Sequence, residues 1–151
     1  MQVALAEDDH ATTAQSAATL AAAADGVELD GPAAEAWDAI GSALQEHAAP
    51  IAASADIESA RASFESLSFA MEDLLRRLGN PLAADVQVAY CPMALGSAGA
   101  RWIQQNDTVD NAYFGATMRR CGEIRSTIAP GAYLAAEAGL TGANSHEGHD
   151  H

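Results

Sequence analysis

Residues 57–78 read IESARASFESLSFAMEDLLRRL, and this stretch carries the clearest structural pattern in the chain. Its large apolar side chains recur at steps of three, four and seven, which is the spacing of one face of an α-helix. Ser54 or Asp56 can cap the start of the helix, and the Gly-Asn-Pro run at 79–81 ends it. The pattern predicts a long amphipathic helix with an apolar stripe of Ile57, Phe64, Leu67, Met71, Leu74 and Leu78.

Three segments that precede this stretch also favour helices. Residues 1–6 are apolar and predict part of a first helix, and residues 9–24 are rich in alanine and predict a thin second one. Pro32 is well placed in the first turn of a third helix over residues 32–49. The apolar stripe of this third helix is Trp37, Ile40, Leu44, His47 and Ile51.

The second half of the chain has a weaker pattern. The alternation of Val86 and Val88 predicts a short extended piece that leads into Cys91. A last helix is expected from about Asn111 to the Pro-Gly pair at 130–131. One face of this helix would carry Phe114, Met118, Cys121 and Ile128.

The composition supports a helical fold. The chain is rich in alanine and poor in aromatic residues, which favours closely packed helices over sheets. We therefore expect an all-α fold: an up-and-down bundle of about four helices, with a long Cys-Pro-Met loop packed on the last helix. One helical metal-handling domain is expected over residues 1–133, followed by a flexible tail over residues 134–151.

The charge of the chain limits its partners. The formal net charge is −14, from 21 acidic residues against 7 arginines and no lysine. A nucleic-acid partner is not expected, because a phosphate backbone requires cationic patches. No run of residues approaches the ~20 apolar positions of a membrane span.

The two cysteines and two of the four methionines lie together in residues 91–121. Cys91 and Met93 are two positions apart, so an extended backbone would point both side chains the same way. Met118 and Cys121 are three apart and would share a helical face. Thiolate and thioether are soft ligands that prefer Cu(I), with Ag(I) possible on the same grounds, whereas structural zinc sites use Cys and His without methionine.

Other interpretations of these residues stay open. The two cysteines can form a disulfide, which would close a loop of roughly 30 residues and contribute about 3 to 4 kcal/mol. Methionines on apolar stripes are often core residues. His47 and Met71 are second-rank metal candidates, because each lies on the inner stripe of a predicted helix. The tail adds His146, His149 and His151, which either collect metal weakly or have no role.

Motifs of enzymes are scarce. The sequence contains no G-x-S-x-G, no G-x-x-x-x-G-K, no H-E-x-x-H and no C-x-x-C. A thiol oxidoreductase would need one cysteine with a strongly lowered pKa, and neither cysteine has flanking residues that clearly provide it. We therefore expect a protein that is not an enzyme.

Within residues 90–123 the segments YCPMA, G-A-x-W-I-Q and N-x-Y-F-G-x-x-M-x-x-C-G-E occur in that order, and residues 61–68 read RASFESLS. With these segments the chain resembles a bacterial domain family of unknown function. That family occurs alone, or at the end of periplasmic adaptor subunits of copper and silver efflux pumps. The resemblance covers most of the chain except the tail. Ala112 departs from it, because the family typically has proline there.

The resemblance implies a helical periplasmic domain associated with heavy-metal resistance. It implies that Cys91, Met93, Met118 and Cys121 handle the ion, and that residues 1–6 belong to a first helix that extends upstream. The resulting hypothesis is capture or relay of Cu(I), or of Ag(I), with metal efflux or chaperone proteins as partners. The alternative is a structural interaction domain of an efflux adaptor, stapled by a disulfide and without a metal of its own.

Overall fold

The helices of the first half begin and end where the local sequence predicts. In the computed structural model, which describes residues 1–136, these helices are α1 (Gln2–Ala6), α2 (His10–Asp25), α3 (Pro32–Ala52) and α4 (Ile57–Arg77). Asp9 caps α2 by accepting a hydrogen bond from Thr12 N, and Asp56 caps α4 by accepting one from Ser59 N. The four helices predicted over residues 1–78 are confirmed, with ends shifted by at most three residues.

Small side chains let these helices pack closely. α3 lies between α2 and α4 and contacts both. Ala17 of α2, Ala48 of α3 and Ala60 of α4 are completely buried. Larger side chains fill the remaining space, and the burial of each Leu or Ile stabilises the fold by about 1.5 to 3 kcal/mol. The larger side chains that are completely or almost completely buried are Leu5, Ile40, Leu44, Ile51 and Leu67.

The second half forms a three-stranded antiparallel sheet. Its strands are β1 (Val86–Cys91), β2 (Ala100–Gln104) and β3 (Glu123–Ile128), in the spatial order β2-β1-β3. A short turn, α5 (Ala94–Ser97), connects β1 to β2, and it contains three residues with positive φ angles, Leu95, Gly96 and Ser97. A short 3₁₀-helix (Gly115–Thr117) lies between β2 and β3. β2 packs against α4, so one face of the sheet covers the helices. The short extended piece predicted around Val86 and Val88 is confirmed as β1.

The all-α prediction is wrong, because the described residues form a mixed α/β fold. The last helix, expected from about Asn111 to residue 129, is a loop followed by β3. Gly115 and Gly122 have positive φ angles of 59° and 125°, which an α-helix does not accommodate. β3 is also rich in β-branched residues, namely Ile124, Thr127 and Ile128.

The end of the described chain packs on the sheet. Leu134 is buried against Leu75, Val86 and Ile128, and its backbone N–H donates to the carbonyl of Leu75 at 3.1 Å. This contact joins the segment after β3 to both α4 and the sheet. Within residues 1–136, no helix has the length and apolar character to cross a membrane.

Candidate metal-binding site

The two cysteines meet at one end of the sheet. Cys91 is the last residue of β1, and Cys121 lies two residues before β3 begins. The register that pairs Tyr90 with Glu123 brings the end of β1 beside the turn that carries Cys121. The two Sγ atoms are 2.9 Å apart, and both thiols are free. Two soft donors separated by 30 positions in sequence are therefore in contact.

Gly122 allows this close approach. A Cβ atom on Gly122 would lie 2.6 Å from the carbonyl oxygen of Tyr90 and 3.2 Å from the indole of Trp102. Its φ of 125° is also one that other residues rarely adopt. Only glycine at this position lets the turn with Cys121 pass so close to the end of β1.

Asn111 holds the same turn through its side-chain hydrogen bonds. Its side-chain oxygen accepts hydrogen bonds from Tyr113 N at 2.8 Å and Phe114 N at 3.0 Å, the pattern of an Asx turn. Its side-chain nitrogen donates to the carbonyl of Cys121 at 2.7 Å. Asn111 is completely buried, so these hydrogen bonds lie out of competition with water. One amide thus closes the loop that places Cys121 beside Cys91.

Gln104 organises the preceding segment in a similar way. Its side-chain oxygen accepts from Trp102 Nε1 at 2.8 Å and Asp110 N at 3.1 Å. Its side-chain nitrogen donates to the carbonyls of Asn106 and Thr108. The loop from β2 to Asn111 is therefore folded around one buried amide.

Arg61 ties the loop to the helices. From α4 its guanidinium donates to the carbonyls of Ala112 at 2.9 Å and Leu5 at 2.6 Å, and to the carboxylate of Asp8 at 2.8 Å. Asp8 in turn accepts a hydrogen bond from Ala116 N at 3.0 Å. The Arg61 hydrogen bond, followed by that of Ala116, lowers the pKa of Asp8. This clamp joins α1, α4 and the loop that leads to Cys121.

Trp102 is the aromatic neighbour of the site. It is completely buried, and it pairs across the strands with Ala89 of β1. Its ring packs edge-on against Tyr113, with the centroids 6.0 Å apart. Gly122 faces the same indole, so a movement of the turn that carries Cys121 would change the surroundings of Trp102.

The pKa of the Cys121 thiol is shifted in the opposite direction to that of a typical catalytic cysteine. The hydrogen bond with Cys91 raises the pKa of the Cys121 thiol, and burial raises it further. A thiol oxidoreductase requires a cysteine with a lowered pKa instead. This direction is the opposite of the one that rapid thiol catalysis needs, whereas a slower, stoichiometric reaction of the thiol with a disulfide does not need a lowered pKa.

The backbone at both methionines differs from the one that the sequence predicts. Met93 has helical rather than extended backbone angles, and it is 50% exposed whereas Cys91 is completely buried. The expectation that these two side chains point the same way through an extended backbone is therefore wrong. Met118 is half-buried and lies in a turn in which Cys121 N donates to the Met118 carbonyl at 3.0 Å, not on a helical face.

The second-rank candidates lie elsewhere. His47 is a half-buried residue of α3, the helix between α2 and α4. Met71 lines a cavity of about 430 Å³ together with Met1 and Ile103, and neither cysteine lines this cavity. His146, His149 and His151 lie outside the described residues. In the described part of the chain, no three side chains of the His, Cys, Asp or Glu type gather where one ion could bind them.

The sequence did not predict which residues position the two cysteines. Arg61, Gln104, Asn111 and Gly122 all occur in the recognised segments, but their spacing does not indicate their partners. The local signal that could have been used is the Asn-x-Tyr-Phe-Gly run, which is typical of an Asx turn followed by a left-handed glycine.

Comparison with known proteins places the first half of the chain in a family. A family described as "Protein of unknown function (DUF3347)" matches residues 1–81, which contain α1 to α4. The match ends before β1, so both cysteines lie beyond the matched residues. No curated protein matches the chain. No solved structure matches it either.

Proposed function

The chain belongs to the DUF3347 family, and we propose that it binds one soft metal ion, Cu(I) or Ag(I), between Cys91 and Cys121. The observation that carries this proposal is the 2.9 Å approach of the two Sγ atoms. Thiolates prefer Cu(I) and related soft ions over calcium or magnesium, which take oxygen ligands. Binding then serves capture or relay of the ion, without catalysis.

The donor set fits a soft ion better than a structural zinc ion. Zinc sites in proteins usually have four Cys or His ligands. Within residues 1–136 the two thiolates have no third partner of the His, Cys, Asp or Glu type. Met93 and Met118 are the nearest further sulfur donors in sequence, and thioethers bind Cu(I).

Binding would also require the two thiols to separate. A soft ion held by both thiolates would lie between them, so the two sulfurs would have to be farther apart than the present 2.9 Å. Cys91 belongs to the central strand, whereas Cys121 lies on the turn outside both strands. The turn is therefore the part that moves.

The cellular setting is a further part of the proposal. The resemblance of residues 90–123 supports a periplasmic domain that works with metal efflux or chaperone proteins. The acidic net charge of −14 would raise the local concentration of cations without selecting among them. Selectivity would come from the sulfur donors.

The same geometry supports a second candidate, a structural domain stapled by a Cys91–Cys121 disulfide. Thiol counting separates the two functions. A never-reduced protein without free thiols that takes up no Cu(I) after gentle reduction would support the stapled domain. The metal-binding function predicts uptake of one Cu(I) by the reduced protein.

The direct test is an anaerobic titration of Cu(I) against a strong chelator. We expect loss of tight binding in Cys91→Ser and Cys121→Ser, and weaker binding in Met93→Leu and Met118→Leu if these thioethers contribute. Met71→Leu is the matched control, because Met71 lines a cavity that neither cysteine lines. A version that lacks residues 145–151 tests the tail. Loss of binding confined to that version would move the site to the histidines.

Trp102 supplies a local readout for the same titration. Trp37→Phe leaves Trp102 as the remaining indole, and Trp102 faces the turn with Cys121 and Gly122. Metal at the thiol pair should change the fluorescence of this variant, whereas metal at the tail should not. Unchanged fluorescence on saturation with Ag(I) would contradict a site at the two cysteines.

A further inference from the structure

The two cysteines differ sharply in access to solvent. Cys91 is completely buried at the end of the central strand. Cys121 is partly exposed on the turn before β3. Cys121 is therefore the cysteine that a reagent from solution meets first, although the two sulfurs are 2.9 Å apart.

We propose that Cys121 is a site of thiol–disulfide exchange and that Cys91 is its resolving thiol, so that a disulfide oxidant converts the metal-binding pair to cystine. Release of the ion by this reaction rests on the proposed metal-binding function. The exchange itself does not, because it requires only the two thiols.

The reaction proceeds in two displacements. The thiolate of Cys121 attacks one sulfur of the oxidant RSSR, a bond forms between Cys121 and RS, and the other RS⁻ leaves with the electron pair of the broken bond. Cys91 then attacks the sulfur of Cys121, and the second RS⁻ leaves. Two protein thiols are oxidised, one disulfide is reduced, and the two thiol protons end on the released RSH molecules.

The geometry favours the second displacement. The two sulfurs need to approach by only about 0.9 Å to reach the length of a disulfide bond. The cystine has no thiolate left to bind a soft ion, so its formation and metal binding exclude each other. The site therefore holds metal in its reduced form and releases metal when it is oxidised.

The exchange is tested on the full, metal-free, reduced chain with oxidised glutathione as the probe. Samples are acid-quenched, alkylated and analysed by mass spectrometry. The parent should lose both thiols without retaining glutathione, and Cys91→Ser should accumulate one glutathione on Cys121. Cys121→Ser should react at least about tenfold more slowly, because its remaining thiol is buried. Equal rates for the two variants would overturn the proposal.

A measurement on the parent alone guards against misfolding of the variants. Limiting iodoacetamide followed by peptide mapping compares both cysteines within one folded molecule. Preferential labelling of Cys121 supports the proposal, and equal labelling overturns it. The preference should disappear in concentrated guanidinium chloride, where both thiols are exposed.

A final arm separates the exchange from metal binding. Cu(I)-loaded parent is treated with oxidised glutathione in the presence of a Cu(I) chelator, and one ion should be released for each cystine formed. Cystine that forms while the ion stays bound overturns the switch. Reduced protein that exchanges as expected but never binds Cu(I) overturns the proposed function and leaves the exchange supported.

Discussion

Gly122 combines a left-handed backbone with close packing against the end of β1. Its φ is 125°, and an added Cβ would lie 2.6 Å from the carbonyl of Tyr90. We predict that Gly122→Ala destabilises the protein by about 1 to 3 kcal/mol, the range for strained backbone at such positions. It should also slow cystine formation, because the turn must move away from Cys91. Chemical denaturation and the rate of cystine formation measure the two effects.

Gly96→Ala is the matched control for this substitution. Gly96 also has a positive φ, 66°, but beyond its own chain neighbours no atom lies within 4 Å of the position of its Cβ. The control therefore carries backbone strain without the collision. A loss of stability in Gly96→Ala as large as that in Gly122→Ala would show that contact with Tyr90 has no separate effect.

Asn111 offers a second prediction at the level of one residue. Asn111→Asp keeps the oxygen that accepts from Tyr113 N and Phe114 N, but it replaces the donor to the Cys121 carbonyl with a second oxygen. We expect a loss of about 1 to 3 kcal/mol, because the Cys121 carbonyl loses its donor and faces a second oxygen. Metal affinity should fall with it, since the turn with Cys121 loses its tether.

The exposed residue Asn106 provides the control for the added negative charge. Asn106→Asp changes the net charge by the same amount, and we expect stability within about 0.5 kcal/mol of the parent. Denaturation and Cu(I) titration are measured for both variants. Equal behaviour of the two would contradict a positioning role of Asn111.

Helices and loop are coupled through the clamp formed by Arg61 and Asp8. The Arg61 side chain is only 10% exposed, whereas the Asp8 side chain is 42% exposed. The clamp reaches three elements with one guanidinium, so the loop before Cys121 depends on the position of α1 relative to α4. Gly115 is required here as well, because a Cβ at that position would collide with both members of the clamp.

The pKa of Asp8 gives this clamp a defined pH dependence. Folding lowers the pKa from its usual 3.8, so the contribution of Asp8 to stability is complete above that value and is lost as the pH falls through the folded pKa. Asp8→Asn should cost about 1 kcal/mol or less at neutral pH, as expected for a partly exposed ion pair. The difference from the parent should vanish in acid, where Asp8 is protonated. Urea denaturation at several pH values measures it.

Asn is a suitable replacement, because Asp8 has a φ of 59° and asparagine tolerates this left-handed region. Asp73→Asn is the control, since it removes an exposed pair with Arg77 on the surface of α4. We expect a smaller loss there, about 0.3 to 0.5 kcal/mol. If the Asp8→Asn difference persists unchanged to low pH, the charge of Asp8 is not its cause.

Across the whole molecule, the dominant electrostatic feature is a net charge of −14. Self-repulsion of this size destabilises a compact state and is screened by salt. We predict that Tm rises by a few degrees when NaCl increases from about 0.01 M to about 0.1 M, as the Debye length falls from about 30 Å to about 10 Å. The rise should disappear near the pI of about 4.4, where the net charge is small. A fall in Tm with salt at neutral pH would instead mean that local ion pairs dominate.

How much was predictable from the sequence differs between the two halves of the chain. The stripe that includes Phe64 and Met71 and the cap at Asp56 predicted α4, and similar local patterns predicted α1 to α3. The same periodicity predicts a helix through Cys121, because apolar residues recur at helical spacing on both sides of Gly115 and Gly122. The β-branched residues of β3 then outweighed that periodicity.

For the candidate site, residue types alone carry the chemical proposal. Two thiols and nearby thioethers favour a soft metal ion, and this preference does not depend on the fold. Their geometry needed the sheet, since the approach of Cys91 and Cys121 depends on the pairing of β1 with β3 and on the side-chain partners of Asn111. Neither is a local property of the chain.

Local sequence alone determined the four helices, the strand around Val88 and the kinds of donor atoms, since helical periodicity, capping and ligand softness act over a few residues. Only the tertiary structure decided that the second half forms a sheet, that Cys91 is buried, and that Cys121 reaches both solvent and its partner. The physical reason is that strand pairing joins residues far apart in the chain, and its free energy comes from contacts that no short segment contains.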